Sequence, residues 1–118
     1  MAKLIDLKKY LNYRFSSGGV TGSDYKSFQT KYINYLRSIC NEEGWELAKV
    51  TKMHYEFSCF IKNGDKYVYL SIPDVRYWSN EWYDNILIRT AKDDKDYRGG
   101  YNQRGCLETI TNDIRKLF

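Results

Sequence analysis

Apolar positions near the start of the chain repeat at the spacing of a helix. Leu4, Leu7, Leu11 and Phe15 are three or four residues apart, so they fall on one helix face. The next stretch, residues 16–23, is rich in glycine and serine and has no apolar period. We therefore predict an N-terminal helical arm over residues 1–15, joined by a flexible linker to the rest of the domain.

A second helical pattern follows the linker. We predict a helix from Tyr25 to Glu43, capped by Ser23 or Asp24 and ended by Gly44 in a left-handed conformation. Its apolar face consists of Tyr25, Phe28, Tyr32, Tyr35, Leu36 and Ile39. Its opposite face carries cations, so one helix buries aromatic rings and presents positive charge.

The middle of the chain changes to a two-residue alternation, which is typical of strands. Four strands are predicted, at residues 45–52, 55–61, 66–72 and 85–91. The first has a blurred alternation. The second and third flank Asn63-Gly64, a strong signal for a two-residue hairpin turn.

A turn at Asn63-Gly64 fixes how the two hairpin strands pair. The predicted pairs are Ile61 with Lys66, Cys59 with Val68, Phe57 with Leu70 and Tyr55 with Ile72. The other face of the hairpin then holds Glu56, Ser58, Phe60, Tyr67, Tyr69 and Ser71. If no helix covers that second face, it exposes a large aromatic patch.

Two polar connections and a last helix complete the chain. Residues 74–84 and 92–105 are predicted as loops, and 106–118 as a helix with an apolar stripe. The predicted order is α-α-β-β-β-β-α. The fold class is therefore α+β, a two-layer sandwich with a four-stranded antiparallel sheet and helices packed on one face.

Length, composition and charge restrict the classes of protein to which the chain could belong. The 118 residues suit one domain, and no apolar run approaches the ~20 residues that a membrane-spanning helix needs. The N-terminus has no apolar core typical of a signal peptide. The net charge is +4, and residues 1–37 carry seven basic and two acidic side chains. This excess suggests an ordinary solvated helix surface or an anionic partner.

Residues that could support catalysis or metal binding are scattered. Cys40, Cys59 and Cys106 match no zinc or redox spacing, and free thiols suit a cytoplasmic protein. His54 is the single histidine, so no metal site, cofactor or Ser–His–Asp set is expected. A metal-dependent nuclease would need Asp65, Asp74 and Lys66 to converge, an arrangement that the sequence does not favour.

Two segments concentrate residues suited to binding a partner. The 74–84 connection is rich in aromatic rings, and Trp and Tyr are common at interface hot spots. The 92–105 connection alternates cations with anions and then places tyrosines around a Gly-Gly pair, the alternative being a structural turn. The predicted partner-binding residues are Tyr77, Trp78, Trp82, Tyr83, Arg89, Lys92, Lys95, Tyr97, Arg98 and Tyr101.

The stretch Ile88-Arg89-Thr90-Ala91-Lys92-Asp93-Asp94-Lys95-Asp96-Tyr97-Arg98-Gly99-Gly100-Tyr101-Asn102 loosely resembles segments of small proteins from phages and mobile elements of Gram-positive bacteria. The resemblance covers about fifteen residues and implies a phage-encoded accessory protein. Small phage proteins of this kind often resemble inhibitors of host defence nucleases, anti-CRISPR proteins among them. Many of those inhibitors are acidic mimics of DNA, and the positive charge of this chain departs from that pattern.

Three functions are therefore expected in descending order. The first is a non-catalytic protein that blocks a protein or ribonucleoprotein partner by steric occlusion. The second is a module that binds single-stranded nucleic acid, and the third is a small nuclease or toxin. The nucleic-acid site would use the basic helix face and exposed rings, namely Lys26, Lys31, Arg37, Phe60, Tyr67 and Tyr69. The sequence leaves the oligomeric state open.

Overall fold

The computed structural model describes residues 4–13, 15, 22–53, 55–77, 80–98 and 100–118. The helices are α1 (Leu4–Lys8), α2 (Gly22–Glu43), α3 (Glu81–Asp84) and α4 (Ile110–Leu117), the last preceded by a 3₁₀ turn at Leu107–Thr109. The strands are β1 (Glu46–Met53), β2 (Glu56–Asn63), β3 (Lys66–Ile72), β4 (Ile86–Ala91) and β5 (Gln103–Gly105). The fold is thus α+β with an antiparallel sheet, as predicted.

The sheet has five strands in the order β1-β2-β3-β4-β5, so the prediction of four was wrong. The missed strand, β5, lies inside the predicted 92–105 loop and pairs Arg104 with Leu87 and Gly105 with Ile86. Its three residues, Gln-Arg-Gly, have no apolar alternation and low strand propensity. The unpaired edge of β4 supplies the hydrogen-bonding partners that the local sequence does not predict.

The hairpin is present, but its register differs from the prediction by two residues. Asn63 pairs with Lys66, so the turn is Gly64-Asp65, and Gly64 has a φ of 64° at the first turn position. That is the position at which a type II′ turn prefers glycine. Because the side-chain period of a strand is two, a shift of two leaves the same residues on each face.

The blurred alternation of β1 results from a β-bulge. The pairing shifts between Leu47, which lies opposite Ile61, and Lys49, which lies opposite Phe60. The extra residue is Ala48. Leu47 and Val50 therefore both lie on the face of Ile61 and Cys59, three positions apart instead of two.

The core lies between one face of the sheet and the helices. The aromatic stripe of α2 packs there, with the Tyr32 ring 5.2 Å from that of Phe57 between centroids. The buried Ile110 and Ile114 on α4 belong to the same cluster. Gly44 ends α2 with a φ of 76°, which confirms the predicted left-handed residue. The helix begins at Gly22, so the predicted caps Ser23 and Asp24 fall within its first turn.

The N-terminal helix is shorter than the predicted 4–15, because a tertiary contact replaces its last turn. Asn12 has a φ of 64°, and its N–H donates to Asn80 Oδ1 at 2.8 Å. The Asn80 side chain in turn donates to Asn12 Oδ1 at 2.9 Å. Leu7 and Phe15 are buried in the main core. Most of the predicted linker, residues 16–21, lies outside the described residues.

Candidate binding surface

The second face of the sheet points away from the helices described above, and we call it the open face. Strand pairing assigns its members, because directly paired residues share a face. They are Glu46, Lys49, Thr51, Met53, Glu56, Ser58, Phe60, Lys62, Tyr67, Tyr69, Ser71, Leu87, Arg89, Ala91 and Arg104. Among the described segments, residues 92–98 of the β4–β5 connection lie over this face, where Tyr97 contacts Phe60 and the Asp96 carbonyl accepts from Arg89.

Positive charge is concentrated on the open face. It carries four cations, Lys49, Lys62, Arg89 and Arg104, and two carboxylates, Glu46 and Glu56. The surplus of two equals half of the +4 of the whole chain. A surface with this balance attracts anionic partners.

An aromatic cluster separate from the main core lies at the centre of the open face. The Tyr97 ring packs edge-on against Phe60 at 5.2 Å and Tyr69 at 5.7 Å, and those two rings are 5.0 Å apart. Phe60 is 1% exposed because Tyr97 covers it, while Tyr97 itself is 47% exposed. Phe60 is therefore buried under Tyr97 and cannot contact a partner, which corrects its place in the predicted exposed patch and in the predicted nucleic-acid site.

Arg89 fastens the connection to the sheet. Its guanidinium lies 4.4 Å from the centre of the Tyr69 ring and donates to the Asp96 carbonyl at 2.8 Å and the Thr90 carbonyl at 3.2 Å. The residue is 3% exposed. Arg89 is thus a positioning residue that holds the backbone next to Tyr97, rather than a free cation on the surface.

The Asp96 carboxylate organises the same connection. One oxygen accepts from the Lys92 N–H at 2.9 Å, and the other accepts from the Arg98 N–H at 3.2 Å. Beyond it, Gly100 has a φ of 81°, and a Cβ at that position would lie 2.2 Å from the Thr90 carbonyl oxygen. Only glycine fits this close approach without strain. These contacts fix the path that delivers Tyr97 to the open face.

The outer end of Tyr97 reaches strand β1. A hydrogen bond with the Thr51 side chain, and the proximity of Lys49, lower the pKa of the Tyr97 phenol from its ordinary value. The Lys49 ammonium lies 5.6 Å from the centre of the Tyr97 ring, and Lys62 lies 5.7 Å from that of Tyr67. Tyrosine rings and cations therefore alternate across β1, β2 and β3.

The lowered pKa of Tyr97 gives a spectroscopic prediction. Ultraviolet titration of phenolate formation should show a component that ionises below the ordinary tyrosine value, because Thr51 and Lys49 favour the phenolate. Tyr97→Phe should remove that component. Tyr101→Phe is the control, because Tyr101 is 86% exposed and should leave the component in place. An unchanged early component in Tyr97→Phe would contradict the described position of this ring.

A shallow depression of about 170 Å³ lies beside the aromatic cluster. Its rim includes Met53, which is 53% exposed, and the polar side chains of Glu56, Ser58 and Ser71. The volume is smaller than the ~300 Å³ at which ligand pockets typically begin. The depression therefore fits a protruding group of a larger partner better than an independent small molecule.

The predicted partner-binding residues occupy several environments. Tyr77 is 72% exposed, and the polar members Lys92, Lys95 and Arg98 are exposed beside Tyr97. Tyr83 is half-buried, and its hydroxyl donates to Glu108. Trp78 lies outside the described residues.

Trp82 is not at the surface. It is 1% exposed, its ring lies 5.0 Å from Phe28, and its carbonyl accepts a 2.8 Å hydrogen bond from the Tyr32 hydroxyl. The short helix α3 turns this side chain inward. Trp82 therefore belongs to the core, and we leave it out of the binding surface.

The six residues of the predicted nucleic-acid site do not form one surface. Lys26, Lys31 and Arg37 project from α2, whose buried stripe packs on the core face of the sheet. Tyr67 and Tyr69 lie on the open face, on the other side of the sheet. A partner that contacts the tyrosines therefore cannot contact the α2 cations through the same flat surface.

The acidic residues considered for a nuclease are also far apart. Asp65 and Lys66 are exposed at the hairpin turn, whereas Asp74 follows the opposite end of β3 and pairs with Arg76 at 2.7 Å. Six strand steps separate the two ends, about 20 Å at the usual rise per residue. In the part of the chain that the structure describes, no three His, Cys, Asp or Glu residues are grouped to hold a metal ion.

The sequence reasoning missed three cations of the open face, Lys49, Lys62 and Arg104, and the neighbouring Thr51. Lys62 alternates with Phe60, so the hairpin pattern could have revealed it. Lys49 and Thr51 were hidden by the bulge at Ala48, and Arg104 by the missed strand β5.

Comparison of the chain with models of protein families, with curated proteins and with solved structures found no match in any of the three. Among the described residues, no helix combines the length and apolar character required to cross a bilayer. The functional argument therefore depends on the surface itself.

Proposed function

We propose that this protein is a non-catalytic binding protein that docks its partner on the open face and the adjoining residues 92–98. The observation that carries the proposal is a sheet face that combines a positive surplus of two with half-exposed tyrosines, uncovered by any described helix. Exposed patches that mix aromatic rings with charge are typical of interaction sites.

The partner that fits this surface presents an anionic face, as a nucleoprotein or an acidic protein does. The resemblance of residues 88–102 to phage segments supports an interaction in a bacterial cytoplasm, and the free thiols of Cys40, Cys59 and Cys106 suit that reducing compartment. The protein then acts as an accessory factor that occludes a host protein or nucleoprotein, in the manner of an anti-CRISPR inhibitor of a nuclease.

The proposal that binding is non-catalytic rests on how the acidic and basic groups are distributed. Asp65 and Lys66 lie at the hairpin turn. The Asp74–Arg76 pair lies beyond the opposite end of β3. General acid–base chemistry needs groups within hydrogen-bonding reach of one reacting atom. This separation supports a docking role over the nuclease.

Affinity capture from host-cell extract tests the proposal with two charge-matched variants. Lys49→Gln/Lys62→Gln/Arg104→Gln removes three cations from the open face. Lys26→Gln/Lys31→Gln/Arg37→Gln removes three cations from α2, so its net charge equals that of the first variant. The first variant should retain less than about a tenth of the wild-type partner, a loss that corresponds to about 1.4 kcal/mol, while the second captures it normally.

Circular dichroism and thermal melting must first show that both variants are folded. The proposal is contradicted if both variants capture the partner as well as wild type, or if only the α2 variant loses it. Equal loss in both variants would indicate a dependence on total charge rather than on the open face, and would also reject the proposal.

A further inference from the structure

We propose that the open face binds single-stranded nucleic acid directly, with phosphates on its exposed cations and unpaired bases against its tyrosines. This inference rests on the proposed docking role of the same face and names the chemistry of what it contacts. The occupant is an unpaired strand, which presents the same phosphates and base faces whether it is free or exposed on a nucleoprotein.

The first observation is the distribution of exposed cations. Lys49 and Lys62 occupy neighbouring strands as diagonal neighbours, since Lys49 pairs with Phe60 and Lys62 is two residues further along β2. Side chains in that relation are about 7–8 Å apart. Arg104 extends the positive charge to β5 at the far edge of the sheet. The cations therefore span the sheet, as a groove that follows a phosphate backbone does, although Glu46 lies directly opposite Lys62.

The second observation is the set of rings between those cations. Tyr67 and Tyr69 are half-buried on β3, and Tyr97 packs against Tyr69 from the connection. Base–aromatic stacking tolerates any sequence, because every base has a π-face. Phe60 supports Tyr97 from below, so the outer ring is held in place rather than free to turn away.

The combination of exposed cations and tyrosine rings favours a single strand over other anionic partners. A duplex offers phosphates but hides its base faces in the stack, so the tyrosines would have no partner. An acidic peptide offers carboxylates for the cations but does not offer an aromatic ring at each residue to stack on the tyrosines. A single strand uses both sets of groups at once, and the observations therefore favour it.

The test uses purified full-length protein and fluorescein-labelled fifteen-nucleotide oligo(dT) and oligo(rU), followed by fluorescence anisotropy over a salt series. Binding should be measurable at about 50 mM salt, and log K should fall against log salt with a slope of about −2. Three phosphate contacts give that slope at about −0.7 each. The open-face triple glutamine variant should bring the slope close to zero, and the α2 triple variant should leave it unchanged.

Two ring variants test the stacking contribution. Tyr97→Leu and Tyr67→Leu should each weaken oligonucleotide binding by about five- to a hundredfold, the range expected for loss of one stacked base. Each keeps apolar bulk, and the second stays informative if the first unfolds the connection. Tyr77→Leu, at a ring that is 72% exposed and outside the open face, is the matched control and should bind like wild type.

Three results would overturn the inference: no binding of either oligonucleotide at about 50 mM salt, equal binding by the wild-type protein and the open-face variant, or a competing duplex that displaces the single strand at equal concentration. If oligonucleotides fail to bind while the open-face variant still loses a captured protein, the nucleic-acid inference is wrong and the docking face stands. If neither oligonucleotide binding nor protein capture depends on the open face, both proposals are wrong.

Discussion

Trp82→Ala should lower the free energy of unfolding by about 3–5 kcal/mol, the usual cost of truncating a large buried aromatic residue. The ring is 1% exposed and contacts Phe28 and Tyr32 across the core. Small domains have about 5–15 kcal/mol of total stability, so this single change removes a large fraction of it. Urea denaturation followed by circular dichroism measures the difference.

Tyr77→Ala is the control for this prediction. Tyr77 belongs to the same aromatic segment of the sequence but is 72% exposed, so its loss should change stability by less than about 0.5 kcal/mol. Similar small effects in both variants would show that Trp82 does not anchor the core. Similar large effects would show that Tyr77 is packed, contrary to its described exposure.

Arg89→Ala should cost about 2–4 kcal/mol and loosen the connection that carries Tyr97. The substitution removes two charge-assisted hydrogen bonds to the Thr90 and Asp96 carbonyls and the cation–π contact with Tyr69. Urea denaturation should report the loss of stability. Hydrogen exchange should accelerate at the amides of Lys92 and Arg98, because the connection no longer stays against the sheet.

Lys92→Ala is the matched control for Arg89, since Lys92 is an exposed cation three residues away. Loss of the Lys92 side chain should leave the free energy of unfolding and the amide hydrogen exchange of the connection within experimental error of wild type. Arg89→Lys keeps the charge but lacks the planar fork that donates to two carbonyls, so it should recover only part of the loss. Full recovery by lysine would show that charge alone, and not the geometry of the guanidinium, holds the connection.

Local pattern was sufficient to predict α2 and β3 from their apolar periods and β4 from its apolar run Ile86-Leu87-Ile88. It also predicted the hairpin, though not its register. Elements that depend on distant partners were missed. The helix α3 forms where Trp82 enters the core, and β5 forms because β4 has a free edge. The first helix ends early because Asn12 bonds to Asn80, 68 residues away. Each of these outcomes is decided by tertiary contacts that no short window contains.

The charge of the open face could not be obtained by adding charges along the sequence. Residues 1–37 hold the largest excess, yet the cations of the open face lie at positions 49, 62, 89 and 104. Residues 38–91 sum to −2 but supply three of those four cations, since most of their carboxylates lie off the open face. The register of the sheet, including the bulge at Ala48, determines which charges share a surface.

The central claim is that partners dock on the open face rather than on the outer face of α2. Lysine acetylation of the wild-type protein, with and without its captured partner and followed by mass spectrometry, tests this most directly. The account predicts that bound partner slows modification of Lys49 and Lys62 and leaves Lys26 and Lys31 unchanged. Protection of Lys26 and Lys31 with continued modification of Lys49 and Lys62 would contradict it.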